Sequence, residues 1–140
     1  MTYVREPTYE ISFHFRRILV PVDGSEPSLR ALDLALDLAR RYGSRITVLH
    51  VKPRGANSQY VLEKVNKRIE NKGIPVAVKV EEIDPIRESV AKKILDEVAE
   101  GGYDIVVLGA RGLTVSEELT IGSTALAVAI NTTTTTIIVR

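Results

Sequence analysis

Five short strand-like runs alternate with four stretches of helical spacing, and no other feature restricts the fold of this chain more. Residues 18–22 (ILVPV) and 104–108 (DIVVL) are near-continuous apolar runs, which suit strands buried on both faces of a parallel sheet. Residues 45–51 (RITVLHV) are β-branched and apolar. Residues 75–81 alternate Val76, Val78 and Val80 with Ala77, Lys79 and Glu81, the pattern of a half-exposed strand near a sheet edge. Residues 135–139 supply the fifth run. Between the runs, Leu29, Leu32, Leu36 and Ala39 predict a helix over 29–42, started at Ser25 and Pro27 and ended by Gly43. Val61, Leu62, Val65 and Ile69 predict one over 59–72, stopped by Gly73. Asp84-Pro85 opens a third, with Val90, Ile94 and Val98 along one face to Glu100 and Gly101-Gly102 at its end. Residues 122–130 form the fourth, with Asn131 as a left-handed cap. The order β-α-β-α-β-α-β-α-β with short links predicts an α/β domain, an open five-stranded parallel sheet covered by helices on both faces.

Composition narrows the function by exclusion. Lys and Arg exceed Asp and Glu by 19 − 18 = 1, so no basic footprint for nucleic acid or an anionic membrane is visible. No apolar run approaches the roughly 18 residues of a membrane span. Without cysteine the chain has no disulfide, thiolate zinc site or cysteine nucleophile, which fits the reducing cytoplasm. Residues 1–15 show no sustained period and read as an N-terminal extension. Its Tyr3, Tyr9, Phe13 and Phe15 either pack on the domain or a second subunit, or belong to a loose tail.

The chemistry concentrates after the fourth strand. The apolar run stops at Gly109, Gly112 follows, and Gly122-Ser123-Thr124 stands at a helix start. Glycines let a ligand approach the main chain, and free amides at a helix start beside hydroxyls make an anion site. The expectation is a phosphate cradle whose amides near Gly112 and Gly122 face phosphoryl oxygens, with Arg111 either beside them or a solvated loop charge. Neither a dinucleotide fingerprint nor a Walker loop fits, because the helix does not begin at once and no Lys follows Gly122. In open α/β sheets ligands bind beyond the carboxyl ends of the strands, where strand order reverses. There Asp23, in the turn after the first strand, could accept from a ribose hydroxyl or base amine, or form a helix-capping Asx turn. Val22 and Val51 could wall an adenine or be plain core. Catalytic groups are scarce: His14 lies in the irregular start, and His50 inside a strand reads as a satisfied sheet histidine.

These residues resemble the universal stress protein family. The match runs through Ile18-Leu19-Val20-Pro21-Val22-Asp23-Gly24-Ser25, then Thr47-Val48-Leu49-His50-Val51, then Gly109-x2-Gly112-x9-Gly122-Ser123, and covers residues 16–140. The last motif is similar to that of the family's ATP-binding branch. The resemblance implies a Rossmann-like sheet of order 3-2-1-4-5 and a homodimer through the fifth strands. It implies that Pro21, Val22, Asp23 and Val51 surround adenine and ribose. It further implies that Leu108, Gly109, Arg111, Gly112, Gly122, Ser123 and Thr124 hold ribose and phosphates, with Mg2+ or Mn2+ riding on the phosphates. The expected function is an ATP/AMP-binding stress-response switch or scaffold, ADP being a further candidate ligand. The alternatives are a slow ATPase with water activated near Asp23 or Glu117, and a nucleotide-free dimerisation module.

Overall fold

The computed structural model describes residues 14–111 and 121–140. Its elements run β1 (Arg17–Pro21), α1 (Glu26–Tyr42), β2 (Arg45–Pro53), α2 (Gln59–Ile69), β3 (Val76–Ile83), α3 (Val90–Gly101), β4 (Ile105–Gly109), α4 (Ser123–Asn131) and β5 (Thr135–Val139). The strands form one sheet, all pairs parallel, in the order β3-β2-β1-β4-β5. β1 therefore sits centrally, and the chain leaves it toward β2 on one side before returning through β4 on the other.

Two apolar layers hold the sheet. On one face, Ile18, Val20, Ile46, Val48, Ile105 and Val107 pack against α1 and α2 through residues such as Leu32, Ala35, Val61 and Val65. On the other, Leu19, Leu49, Val106 and Leu108 meet Ile94 and Val98 of α3 and Ala125 and Val128 of α4. The strict alternation along each strand sends successive side chains to opposite layers, which is why the central strands are apolar without interruption. Ile18, Leu19 and Val20 are fully buried, each worth roughly 1.5–3 kcal/mol of transfer free energy.

The helix ends follow local chemistry, with three departures from expectation. α1 starts as expected: the Ser25 hydroxyl accepts from the Ser28 amide, Pro27 lies in the first turn, and Gly43 closes the helix at φ 69. α2 ends at Ile69 rather than Lys72, because Glu70 is extended and Asn71 already takes the left-handed conformation at φ 59. Asp84-Pro85 does not open α3. The Asp84 side chain instead accepts from the Ile86 amide in a turn, and α3 begins at Val90 with Ser89 as cap, its hydroxyl accepting from Lys92 N–H. Asn131 is the last helical residue of α4, not a left-handed cap; its side chain donates to the Ala127 carbonyl and the chain leaves through extended Thr132.

At the amino-terminal edge, the Glu97 carboxylate joins β3 to the start of β4. It accepts from Lys79 Nζ at 2.7 Å and from the Tyr103 hydroxyl at 2.7 Å. Burial pushes its pKa up, but these two donors outweigh burial and hold it below 4.5. Lys79 is correspondingly raised above 10.5, chiefly by its hydrogen bond to Glu97.

Candidate functional site

Where β1 and β4 end side by side, the chain departs in opposite directions and leaves a cleft of about 300 Å³. Pro21, Val22 and Asp23 line it from the end of β1, Leu49 and Val51 from β2, and Leu108, Gly109, Ala110 and Arg111 from β4. Gly122, Ser123, Thr124 and Ala125 close it from the start of α4. Its size falls at the lower end for small-molecule sites. The residues expected to bind nucleotide, where described, all line this one cleft. Gly112 and Glu117 lie outside the described residues.

Three helices, α1, α3 and α4, begin at the cleft, and α3 is capped by Ser89. α1 carries its own cap in Ser25. α4 has Gly122 in the capping position, which offers no side chain, and no side-chain cap bond is made. The amide of Gly122 itself donates to the Ala110 carbonyl, so it is not one of the free donors the sequence suggested. The next main-chain bond in α4 is Leu126 N–H to the Gly122 carbonyl. Among the described residues, the amides of Ser123, Thr124 and Ala125 thus have no acceptor, as the first turn of an uncapped helix requires. Three such amides with two hydroxyls beside them are the kind of donor group that can hydrogen-bond an anion.

Asp23 is held by the turn it makes. Its Oδ1 accepts from the Ser25 amide at 2.9 Å and also from the Ser25 hydroxyl, an Asx turn leading into α1. Oδ2 has no partner among the described residues and remains a strong acceptor at the cleft. Gly24 follows at φ +88, and a β-carbon there would stand 3.0 Å from Val61 Cγ2, so the turn needs glycine twice over. Gly109 is needed for closeness. A β-carbon on it would lie 2.7 Å from the Pro27 carbonyl carbon and 2.7 Å from the Ser28 nitrogen. This glycine brings the first turn of α1 against the end of β4 and so narrows the cleft.

Val22 is 3 % exposed and serves as core, while half-buried Val51 forms part of the wall. His50 points to the other face of the sheet and is buried. Its Nδ1 lies 2.8 Å from the Val22 carbonyl and its Nε2 2.7 Å from the Ser58 hydroxyl. It is a satisfied sheet histidine. Arg111 is half-buried, and its carbonyl lies 3.5 Å from the Ser25 hydroxyl oxygen, whose hydrogen goes to Asp23. Sequence reasoning missed Ser28, Leu49, Val90, Ile94, Ala110 and Ala125 as lining residues. The helical spacing of Val90 and Ile94 marked them as inward-facing, but only the packing of α3 turns that face into a cleft wall.

The family model described as "Universal stress protein family" matches residues 14–140. The chain belongs to this family. One curated relative, universal stress protein YxiE of Bacillus subtilis, is 26 % identical over 148 aligned positions, covering 90 % of this chain and 99 % of the relative. Among solved structures, a universal stress protein in complex with cAMP superposes with TM-score 0.73 at 23 % identity, covering 90 % of this chain and 97 % of the other. The universal stress protein from Archaeoglobus fulgidus in complex with dAMP gives TM-score 0.70 at 20 % identity, covering 91 % and 100 %. At these identities the structural likeness establishes the fold. The universal stress protein sheet order is the one observed here, with the cleft at its reversal point.

Proposed function

We propose that this universal stress protein binds an adenine nucleotide, ATP or AMP, in the cleft between β1 and β4, and acts as a nucleotide-dependent switch or scaffold in the cytoplasm. The observation that carries the reading is the first turn of α4, which has no side-chain cap and whose three amides meet no acceptor among the described residues at the edge of the cleft. Phosphate is the ligand that such donors hold best. Val51 and Leu108 offer apolar walls to a base, and Asp23 Oδ2 suits a ribose hydroxyl. Similar universal stress protein structures contain cAMP and dAMP, which supports an adenine nucleotide here. Mg2+ or Mn2+ would ride on the phosphates of ATP, supplying charge neutralisation; the residues that would hold it indirectly are Ser123 and Thr124. Hydrolysis has weaker support, since His50 is turned away from the cleft and Asp23 Oδ1 is engaged with Ser25.

The proposal also includes a homodimer through β5. Ala110 N–H donates to the Val139 carbonyl, so Thr135, Ile137 and Val139 direct their main-chain groups to β4, while Thr136 and Ile138 direct theirs to the open edge. Thr136→Pro removes one outward donor, which an edge strand tolerates. Sedimentation should show the dimer weakened toward single chains; an unchanged dimer would place the contact elsewhere.

Calorimetric titration with ATP and Mg2+, and with AMP, tests the nucleotide reading. Ser123→Pro is the informative variant. It deletes one first-turn amide, proline is favoured at the first helical position, and Gly122 before it already has φ −76 and ψ 162, the conformation a following proline demands. Against Ser123→Ala, which removes only the hydroxyl, Ser123→Pro should weaken ATP by about tenfold, the worth of one hydrogen bond to a charged group. Adenosine affinity should stay unchanged. Absence of any heat from ATP or AMP with the wild-type protein would dismiss the reading.

A further inference from the structure

The geometry around His50 assigns it a part in the proposed nucleotide site, although it does not touch the cleft. In β2, even-numbered residues bond to β3, as shown by Ile46 N–H to the Pro75 carbonyl and Arg54 N–H to the Ile83 carbonyl. Odd-numbered residues bond to β1: Arg45 N–H donates to the Arg16 carbonyl, and the Leu49 carbonyl accepts from Val22 N–H at 2.9 Å. Continuing this register by one step pairs the Val51 amide with the Val22 carbonyl. Among the described residues that bond is not made, and the ladder stops at Val22 N–H. The Val22 carbonyl instead accepts from His50 Nδ1 at 2.8 Å.

A carbonyl can only accept, so Nδ1 carries a proton and donates to Val22, while Nε2 is hydrogen-bonded to the Ser58 hydroxyl at 2.7 Å. Ser58 stands in the capping position of α2 with φ −111 and ψ 10 rather than an extended backbone, makes no side-chain bond to its own helix, and turns its hydroxyl to His50. The ring is thus clamped between two elements and holds the Val22 carbonyl on the α1/α2 side of the sheet. Val51, on the opposite parity, presents its side chain to the cleft. We propose that His50 is a positioning residue: by drawing the Val22 carbonyl away, it leaves the main-chain N–H of Val51 available to an acceptor on the edge of a purine base. Adenine presents such an acceptor at N1, whereas hypoxanthine presents a donor there. The device therefore favours AMP over IMP.

The inference rests on the nucleotide reading for its purpose but not for its geometry, and the two are tested apart. Amide hydrogen exchange of Val51 in the nucleotide-free protein reads the geometry. His50→Leu should slow exchange at Val51 by about tenfold as the Val22 carbonyl takes its register partner, one hydrogen bond's worth of protection. His50→Asn, whose side-chain amide stands near the position of Nδ1, should leave Val51 exchanging as in wild type. His50→Gln, which preserves the Ser58 side but not the Nδ1 donor, should behave like His50→Leu and serves in its place if the leucine variant does not fold. Equal Val51 protection in wild type and in the variants lacking the donor overturns the inference, whatever nucleotides do. In the binding arm, wild type should prefer AMP over IMP. His50→Leu should narrow that ratio by about tenfold, and His50→Asn should restore it. A ratio unmoved by His50→Leu, in a protein that still binds AMP, also overturns it. Wild-type protein that binds neither nucleotide refutes the nucleotide reading instead, and the exchange result then stands alone.

Discussion

A single methyl group at Gly109 should cost this protein a measurable share of its stability without any backbone strain of its own. Gly109 is not among the glycines at positive φ, so alanine could adopt its conformation freely. Its β-carbon would nevertheless meet Pro27 C and Ser28 N at 2.7 Å and Pro27 Cβ at 3.0 Å. Non-bonded carbons settle about 3.5–4.0 Å apart, so the overlap is roughly 1 Å against main chain that no rotamer change can relieve. α1 would have to move, yet Leu29, Leu32, Ala35 and Leu36 fix it in the core. Overpacking of this kind costs about 1–3 kcal/mol. Taking about 2 kcal/mol, and roughly 3–4 °C per kcal/mol for a chain of this length, Tm should fall by about 6–8 °C. Gly55→Ala is the control: at φ +81 with nothing within 4 Å it carries only left-handed strain, about 1 kcal/mol. Calorimetry on both variants decides the matter. If Gly109→Ala unfolds within about 1 °C of wild type, the close approach of α1 to β4 is not what requires glycine there.

Three further expectations follow from the same contacts. Glu97 has its folded pKa depressed below 4.5, so its contribution is complete above about that pH and is lost as pH falls through the lower folded value; Glu97→Gln should therefore flatten the acid limb of urea midpoints measured against pH. Lys79 is raised above 10.5, so its contribution is present below that pH and is lost as pH rises through the higher folded value, a decline that Lys79→Met should remove on the alkaline side. Ser25→Ala removes both the α1 cap and the hydroxyl on Asp23, and should lower stability by about 1 kcal/mol in chemical denaturation while weakening adenosine and AMP alike.

The alternation of strands and helices was legible along the chain, because periodicity, glycine caps and β-branched runs act within a few residues. Ten of the sixteen described residues that line the cleft were also marked there, since glycines and hydroxyls at a strand-to-helix junction have few other uses. Helix boundaries set by competing local bonds were less legible. Asp84-Pro85 has the composition of a helix start, yet the Asp84 side chain satisfies a turn and Ser89 caps α3 instead. Gly122 looked like a donor, but its amide meets the Ala110 carbonyl, a partner twelve residues back that only the return of α4 over β4 supplies. His50 read correctly as a satisfied histidine, while which carbonyl it satisfies depends on the register of β2 beside β1. Hydrogen bonds between distant segments depend on how strands are ordered and how far each extends, and no local pattern carries that information. Which amides are left without an acceptor at the cleft, among the described residues, follows from the way α4 packs back over β4.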